Sequence, residues 1–161
     1  MGLGSLTRRQ WLLAIAALCV AGVVAALAGQ YGFDMRPCPW CILQRLFFIV
    51  VALICLAAGA GRSPAAHRGA AAVTVVVSAL GIAAALYQHY VAAKSSSCNL
   101  TLADKIITAL HVDTIAPSLF EVTGSCAEAV VSMLGVPFDF WSLGLFLVVG
   151  AAAVAVLMRR G

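Results

Sequence analysis

Charge is what this sequence has least of. Its 161 residues include ten Lys and Arg and six Asp and Glu, so 10% are charged, against roughly 25% in an average soluble domain. With 63% hydrophobic residues and a mean hydropathy of +1.05, a water-soluble globular domain is excluded. A nucleic-acid footprint is absent too, because the formal charge of +4 is spread over chain ends and connections. The cysteines Cys38 and Cys41 form a Cys-x-x-Cys motif, but no second close pair of Cys or His accompanies it. A structural zinc site needs four ligands, in two such pairs, so no metal is expected. Covalent haem attachment requires His after the second cysteine, and Ile42 stands there. A thioredoxin-like reading needs a soluble βαβ unit, which this composition does not allow.

What remains is apolar sequence in four long runs. Residues 10–33, 69–93 and 140–158 carry no formal charge, and residues 37–61 carry only Arg45. A helix needs roughly 17 to 25 mostly apolar residues to cross a bilayer, and each run is long enough. Because lipid leaves no partner for an open strand edge, the expected fold is an all-α integral membrane protein, a four-transmembrane-helix bundle forming a single domain. The approximate spans are 10–30, 41–61, 69–90 and 140–158. They leave outer connections at 31–40 and 91–139.

Arginine placement orients the chain. Arg8 and Arg9, Arg62 and Arg68, and Arg159 and Arg160 lie at both ends and in the second connection, with no acidic residue beside them. By the positive-inside rule both termini are cytoplasmic. The long loop between the third and fourth helices faces the other way, with Asp104, Asp113, Glu121, Glu128 and Asp139 against Lys94 and Lys105. Arg8-Arg9 ahead of an apolar run imitates a twin-arginine export signal, but the run is long for one and three further spans follow.

The centre of the sequence is Arg36-Pro-Cys-Pro-Trp-Cys-Ile-Leu-Gln-Arg45, where the first connection enters the second span. With Cys38 as helix N-cap, Pro39 falls at the first helical position, which suits its fixed φ and missing N–H. Both sulfurs then lie in the first turn, where free N–H groups and the helix dipole favour a thiolate. Arg45, four residues after Cys41, shares a helix face with that sulfur and keeps its charge. An ionisable group inside a span is a functional candidate by default, and so is His89 at the outer end of the third. The bland reading of His89 is an interfacial residue between Tyr87 and Tyr90.

The other four cysteines sort by depth. Cys19 and Cys55 lie inside spans and read as small packing residues. Cys98 and Cys126 lie in the long outer loop, so four cysteines face one compartment; if that is the periplasm, two disulfides are permitted. A staple closing about 28 residues would stabilise by roughly 3 to 4 kcal/mol. The Ser-, Gly- and Thr-rich surroundings favour instead a disulfide open to thiol exchange. Leu102, Ile106, Ile107 and Leu110 recur at helical spacing, as do Val130, Met133 and Leu134 before Gly135-Val136-Pro137. Either stretch would suit a helix on the membrane surface or a loop helix. Pro117 interrupts any longer one.

Together, Cys-Pro-Trp-Cys-Ile-Leu-Gln-Arg at the second helix, four spans with inside termini and an outer cysteine in Gly-Ser-Cys-Ala-Glu resemble the disulfide-bond formation protein B (DsbB) family over essentially the whole chain. The resemblance implies an inner-membrane enzyme that reoxidises a periplasmic DsbA-like dithiol oxidase and passes the electrons to a quinone, ubiquinone or menaquinone. It implies that Cys38 and Cys41 are the quinone-facing pair and Cys98 and Cys126 the partner-facing pair. Arg45, His89 and Gln30 are then the residues beside the quinone, while Gln44 departs from an acidic residue of some relatives. A vitamin K epoxide reductase-like enzyme is the nearest alternative, but there the loop pair precedes the Cys-x-x-Cys helix. A membrane scaffold braced by disulfides is the non-enzymatic one.

Overall fold

The computed structural model describes residues 7–94, 101–126, 132–133 and 136–159. Among these, four helices are long and apolar enough to cross a membrane: α1 (Arg8–Gly32), α2 (Pro39–Ala60), α3 (Pro64–Tyr90) and α7 (Phe138–Met158). The starts of the first three have a local cause. Thr7 and Gln10 form a reciprocal capping box at α1, so Arg8-Arg9 opens a spanning helix. Cys38 and Ser63 cap α2 and α3, each followed by proline at the first helical position. That cap starts α3 five residues before the charge-free run, and His67 and Arg68 fall inside the helix.

The four helices close into a bundle, α1 against α2, α2 against α3, α3 against α7, and α7 back against α1. Apolar burial gains little when lipid is the alternative, so close packing has to hold such a bundle. Small residues provide it. A Cβ on Gly81 of α3 would lie 2.4 Å from the Phe146 ring of α7, and one on Gly22 of α1 would lie 2.4 Å from Leu145. Phe146, fully buried, also stacks on Phe48 of α2 at 4.0 Å between ring centroids. Cys19 and Cys55 belong to the same core. Cys55 is not surrounded by apolar atoms alone, since its sulfur lies 3.4 Å from the Thr74 hydroxyl.

At the end of the bundle that carries Arg8 and Arg159, side chains close helix ends. Arg9 Nε donates to the Gly59 carbonyl at 2.8 Å, His67 Nε2 to that of Gly61 at 3.2 Å, and Arg8 to that of Arg159.

The connection between α3 and α7 folds back over the other end. Its α-helices among the described residues are α4 (Leu102–Ala109), α5 (Val112–Ile115) and α6 (Pro117–Phe120), the last beginning at the proline. The helix expected from Leu102, Ile106 and Ile107 is present, and its buried residues Ala103 and Ile107 face protein. Ile107 packs with Ile42 of α2 and Phe120 of α6. The second expected helix is not formed at Met133: β1 (Ser132–Met133) pairs antiparallel with β2 (Val136–Pro137). Three apolar residues within five positions are too few to set a helical period, and the following turn signal lets the chain double back. Val130 and Leu134, like Cys98, lie outside the described residues.

Candidate thiol and cofactor site

The site lies where the C-terminal ends of α1 and α3 meet the N-terminal ends of α2 and α7. After α1 the chain turns at Asp34, whose φ of 51° is one that Asp tolerates, and runs through Met35-Arg36-Pro37 to Cys38. The Cys38 sulfur caps α2 by accepting from the Cys41 amide at 3.4 Å, and the two sulfurs stand 2.8 Å apart. Cys38 is fully buried.

Cys126 joins them. The chain after α6 crosses the mouth of the bundle, where Thr123 and Gly124 donate their amides to the Pro37 carbonyl at 3.2 and 3.1 Å. Cys126 packs beside Cys38 and Cys41, and its sulfur is hydrogen-bonded with that of Cys38. Hydrogen bonding to Cys126 and Cys41, with burial, holds the Cys38 thiol well above the ordinary thiol range. The same bond from Cys38 pulls Cys126 below that range. At Cys38 the two sulfur neighbours and burial act against the thiolate that the helix end favours.

Beside Cys41 opens a cavity of about 650 Å³, lined mostly by apolar residues, among them a stretch of α1 and Phe48, Trp141 and Leu145. A few polar groups converge on it. Arg45, 5% exposed, donates through Nη1 to Gln30 Oε1 at 3.0 Å and to the Leu119 carbonyl at 2.5 Å. Gln88 donates its amide to the Cys41 sulfur at 3.2 Å and accepts from Gln44 Nε2 at 2.7 Å. Arg45 Nε and Gln44 Oε1 are buried without a protein partner. Asp139 also lines the cavity, and its carboxylate accepts from His89 Nδ1 at 2.7 Å.

Six of the seven residues singled out from the sequence are described. The fold brings Cys38, Cys41 and Cys126 together at one end of the cavity and Arg45 with Gln30 along its wall. His89 is not on that wall. It stands one residue behind, 31% exposed on its side chain, between Asp139, Tyr90 and Phe140. Gln44, Gln88 and Asp139 went unassigned from the sequence. A signal existed for the glutamines, since an amide inside an apolar span asks for a partner, but segmentation by formal charge passes over it. Among the described residues, no group of three or more His, Cys, Asp or Glu could hold a metal ion.

Residues 8–156 match the family described as "Disulfide bond formation protein DsbB". The chain belongs to the DsbB family. It is 32% identical over 157 residues to "Disulfide bond formation protein B 1" of Pseudomonas syringae pv. syringae (strain B728a), covering 94% of this chain and 90% of that protein. Against "Disulfide bond formation protein B" of Burkholderia pseudomallei (strain 1106a) the identity is 31% over 160 residues, 98% of this chain and 95% of the relative. The protein of the same name from Herminiimonas arsenicoxydans is 28% identical over 153 residues, 94% and 96% of the two chains. The four-helix membrane architecture, with a three-thiol cluster at one end, is therefore that of a DsbB-type membrane protein of disulfide formation.

Proposed function

We propose that the protein reoxidises a periplasmic DsbA-like dithiol oxidase and delivers the electrons to a quinone, ubiquinone or menaquinone, in the inner membrane. The observation that carries this reading is the Cys41 sulfur on the wall of a 650 Å³ apolar cavity that also holds Arg45. The residues fit a quinone. The cavity volume lies within the range of small-molecule sites, roughly 300 to 1,000 Å³, and the Arg45 guanidinium, buried on its wall, is a charged donor suited to an acceptor such as a ring carbonyl. Arg45, Gln30 and Gln44 would hold the head group, with Trp141 against it. When bound, the quinone takes two electrons from the Cys38 and Cys41 dithiol, whose sulfurs rejoin as a disulfide, and two protons make it a quinol.

The chain's own groups supply the rest. Cys98 and Cys126 act as the loop disulfide that a partner thiolate opens at Cys98, releasing Cys126 as thiolate. Released as thiolate beside Cys38, Cys126 attacks the Cys38 sulfur of the Cys38–Cys41 disulfide and expels Cys41 as thiolate. The second partner thiolate then frees Cys98, which attacks Cys126, restores the loop disulfide and leaves Cys38 reduced. Gln88 and Arg45 stabilise the negative sulfur of Cys41 facing the cavity. Asp139 on the cavity wall, hydrogen-bonded to the partly exposed His89, links the cavity to the loop side. Orientation follows from the arginines, with Cys126 outside and Arg8, Arg9 and Arg159 inside.

Titration of the purified protein with a short-chain quinone, followed by tryptophan fluorescence, tests the cavity, because Trp141 lines it. One saturable equivalent is expected, with affinity lost in Arg45→Ala. Quenching that never saturates, or that is the same in the variant, would overturn the reading.

A further inference from the structure

We infer that Gly124 is a positioning residue for exchange between the two cysteine pairs, a latch that sets Cys126 against Cys38. The inference rests on the proposed relay and adds the element that aligns it. Residues 117–124 form a strap across the bundle mouth, tied at three points. The Tyr31 hydroxyl donates to the Ser118 carbonyl at 2.7 Å, Arg45 donates to the Leu119 carbonyl, and Pro37 accepts from both Thr123 and Gly124. Phe120, buried against Ile42 and Ile107, anchors its middle. The last tie matters most for chemistry. Pro37 directly precedes Cys38, and Gly124 stands two residues before Cys126, so this backbone contact fixes one sulfur relative to the other.

The contact leaves no room for a side chain. A Cβ at Gly124 would lie 2.8 Å from Arg36 Cβ and 3.0 Å from the Arg36 carbonyl oxygen. These are main-chain atoms and the first side-chain carbon, which no rotamer change can move away. A substitution must therefore lift the strap from Pro37, breaking two amide hydrogen bonds and displacing Cys126. Glycine here serves close approach of two backbones. The exchange it aligns is balanced within the protein: the Cys126–Cys38 bond forms as the Cys38–Cys41 bond breaks, and Cys41 departs as thiolate. Displacing an attacking atom by about 1 Å can cost on the order of a hundredfold in rate.

The test isolates this step from quinone and partner. In full-length Cys41→Ser/Cys98→Ser protein, the outer end keeps Cys38 and Cys126. Diamide oxidises them to a disulfide and is itself reduced to the hydrazine, and peptide mapping follows the rate. Adding Gly124→Val should slow this cross-link on the order of ten- to a hundredfold, and Gly124→Ala less. Arg36→Gly, which removes the nearest obstructing atom and leaves the carbonyl oxygen at 3.0 Å, should restore part of the rate to Gly124→Ala. General misfolding would not be rescued that way. An unchanged rate in Gly124→Val, or a loss in Gly124→Ala that Arg36→Gly leaves untouched, would overturn the latch. A fast, Gly124-dependent cross-link in a protein that never passes electrons from a dithiol oxidase to quinone would instead support the latch and reject the functional reading.

Discussion

The Gln88 side-chain amide donates to the Cys41 sulfur at 3.2 Å, from a helix that starts on the far side of the bundle. Gln44, one turn along α2 from that sulfur, orients the amide by donating to its oxygen at 2.7 Å. A hydrogen bond to a charged group contributes about 1.5 to 3 kcal/mol. Gln88→Leu should therefore slow quinone reoxidation of the reduced Cys38 and Cys41 pair by roughly tenfold or more in single-turnover mixing. Exchange between Cys98–Cys126 and the partner should keep its rate.

The thiols of the cluster should titrate in a fixed order. Cys38 holds its proton through its bonds to Cys126 and Cys41, whereas Cys126, accepting from Cys38, loses its proton at lower pH. Alkylation requires thiolate. In the reduced protein, iodoacetamide labelling of Cys126 should therefore rise at a pH below the ordinary thiol value of 9.0 and that of Cys38 above it. Mass mapping across a pH series checks the order, and Cys38 labelling first would contradict it.

Much of this was legible in the sequence, for reasons that differ by residue. Apolar runs report spans directly, because lipid tolerates little else, and Cys38-Pro39 announces a helix start through capping chemistry alone. Arg45 stood out because a formal charge in a span is costly. The strap was not legible: Gly124 looks like loop glycine until the chain is seen lying on Arg36 and Pro37. Met133 misled because a period cannot be established over five residues. Asp139 was counted as a loop charge, whereas it occupies the first turn of α7 and faces the cavity. Which helix ends meet is tertiary information. No local pattern encodes that His89 reaches Asp139 and stops short of the cavity wall.

Asp139 accepts from His89 on the cavity wall. Asn in its place keeps shape and one acceptor but cannot carry a proton. Asp139→Asn should bind quinone as the parent does in the fluorescence titration, yet lower turnover by roughly a hundredfold, in the range for loss of a positioned acid–base group. Weaker quinone binding with unchanged turnover would make Asp139 a binding residue and no proton site.

Arg45, on the cavity wall, ties Gln30 to the Leu119 carbonyl. A snorkelling role would be met by lysine almost as well. Lysine lacks the planar fork, so Arg45→Lys should insert and fold yet lose roughly 1 to 3 kcal/mol of quinone use. That is roughly ten- to a hundredfold in kcat/KM for quinone at saturating partner. An unchanged value would reduce Arg45 to a membrane anchor.

The central claim is that electrons enter at the loop cysteines and leave through Cys41 to quinone. Mixing the purified protein with a reduced DsbA-like oxidase and quinone, and recording partner thiols and quinone absorbance together, tests it most directly. The account predicts one quinone lost for every two partner thiols, with Cys41→Ser abolishing the loss of quinone and Cys98→Ser/Cys126→Ser abolishing that of partner thiols. Partner thiols lost without quinone reduction, or quinone reduced at full rate in Cys41→Ser, would contradict it.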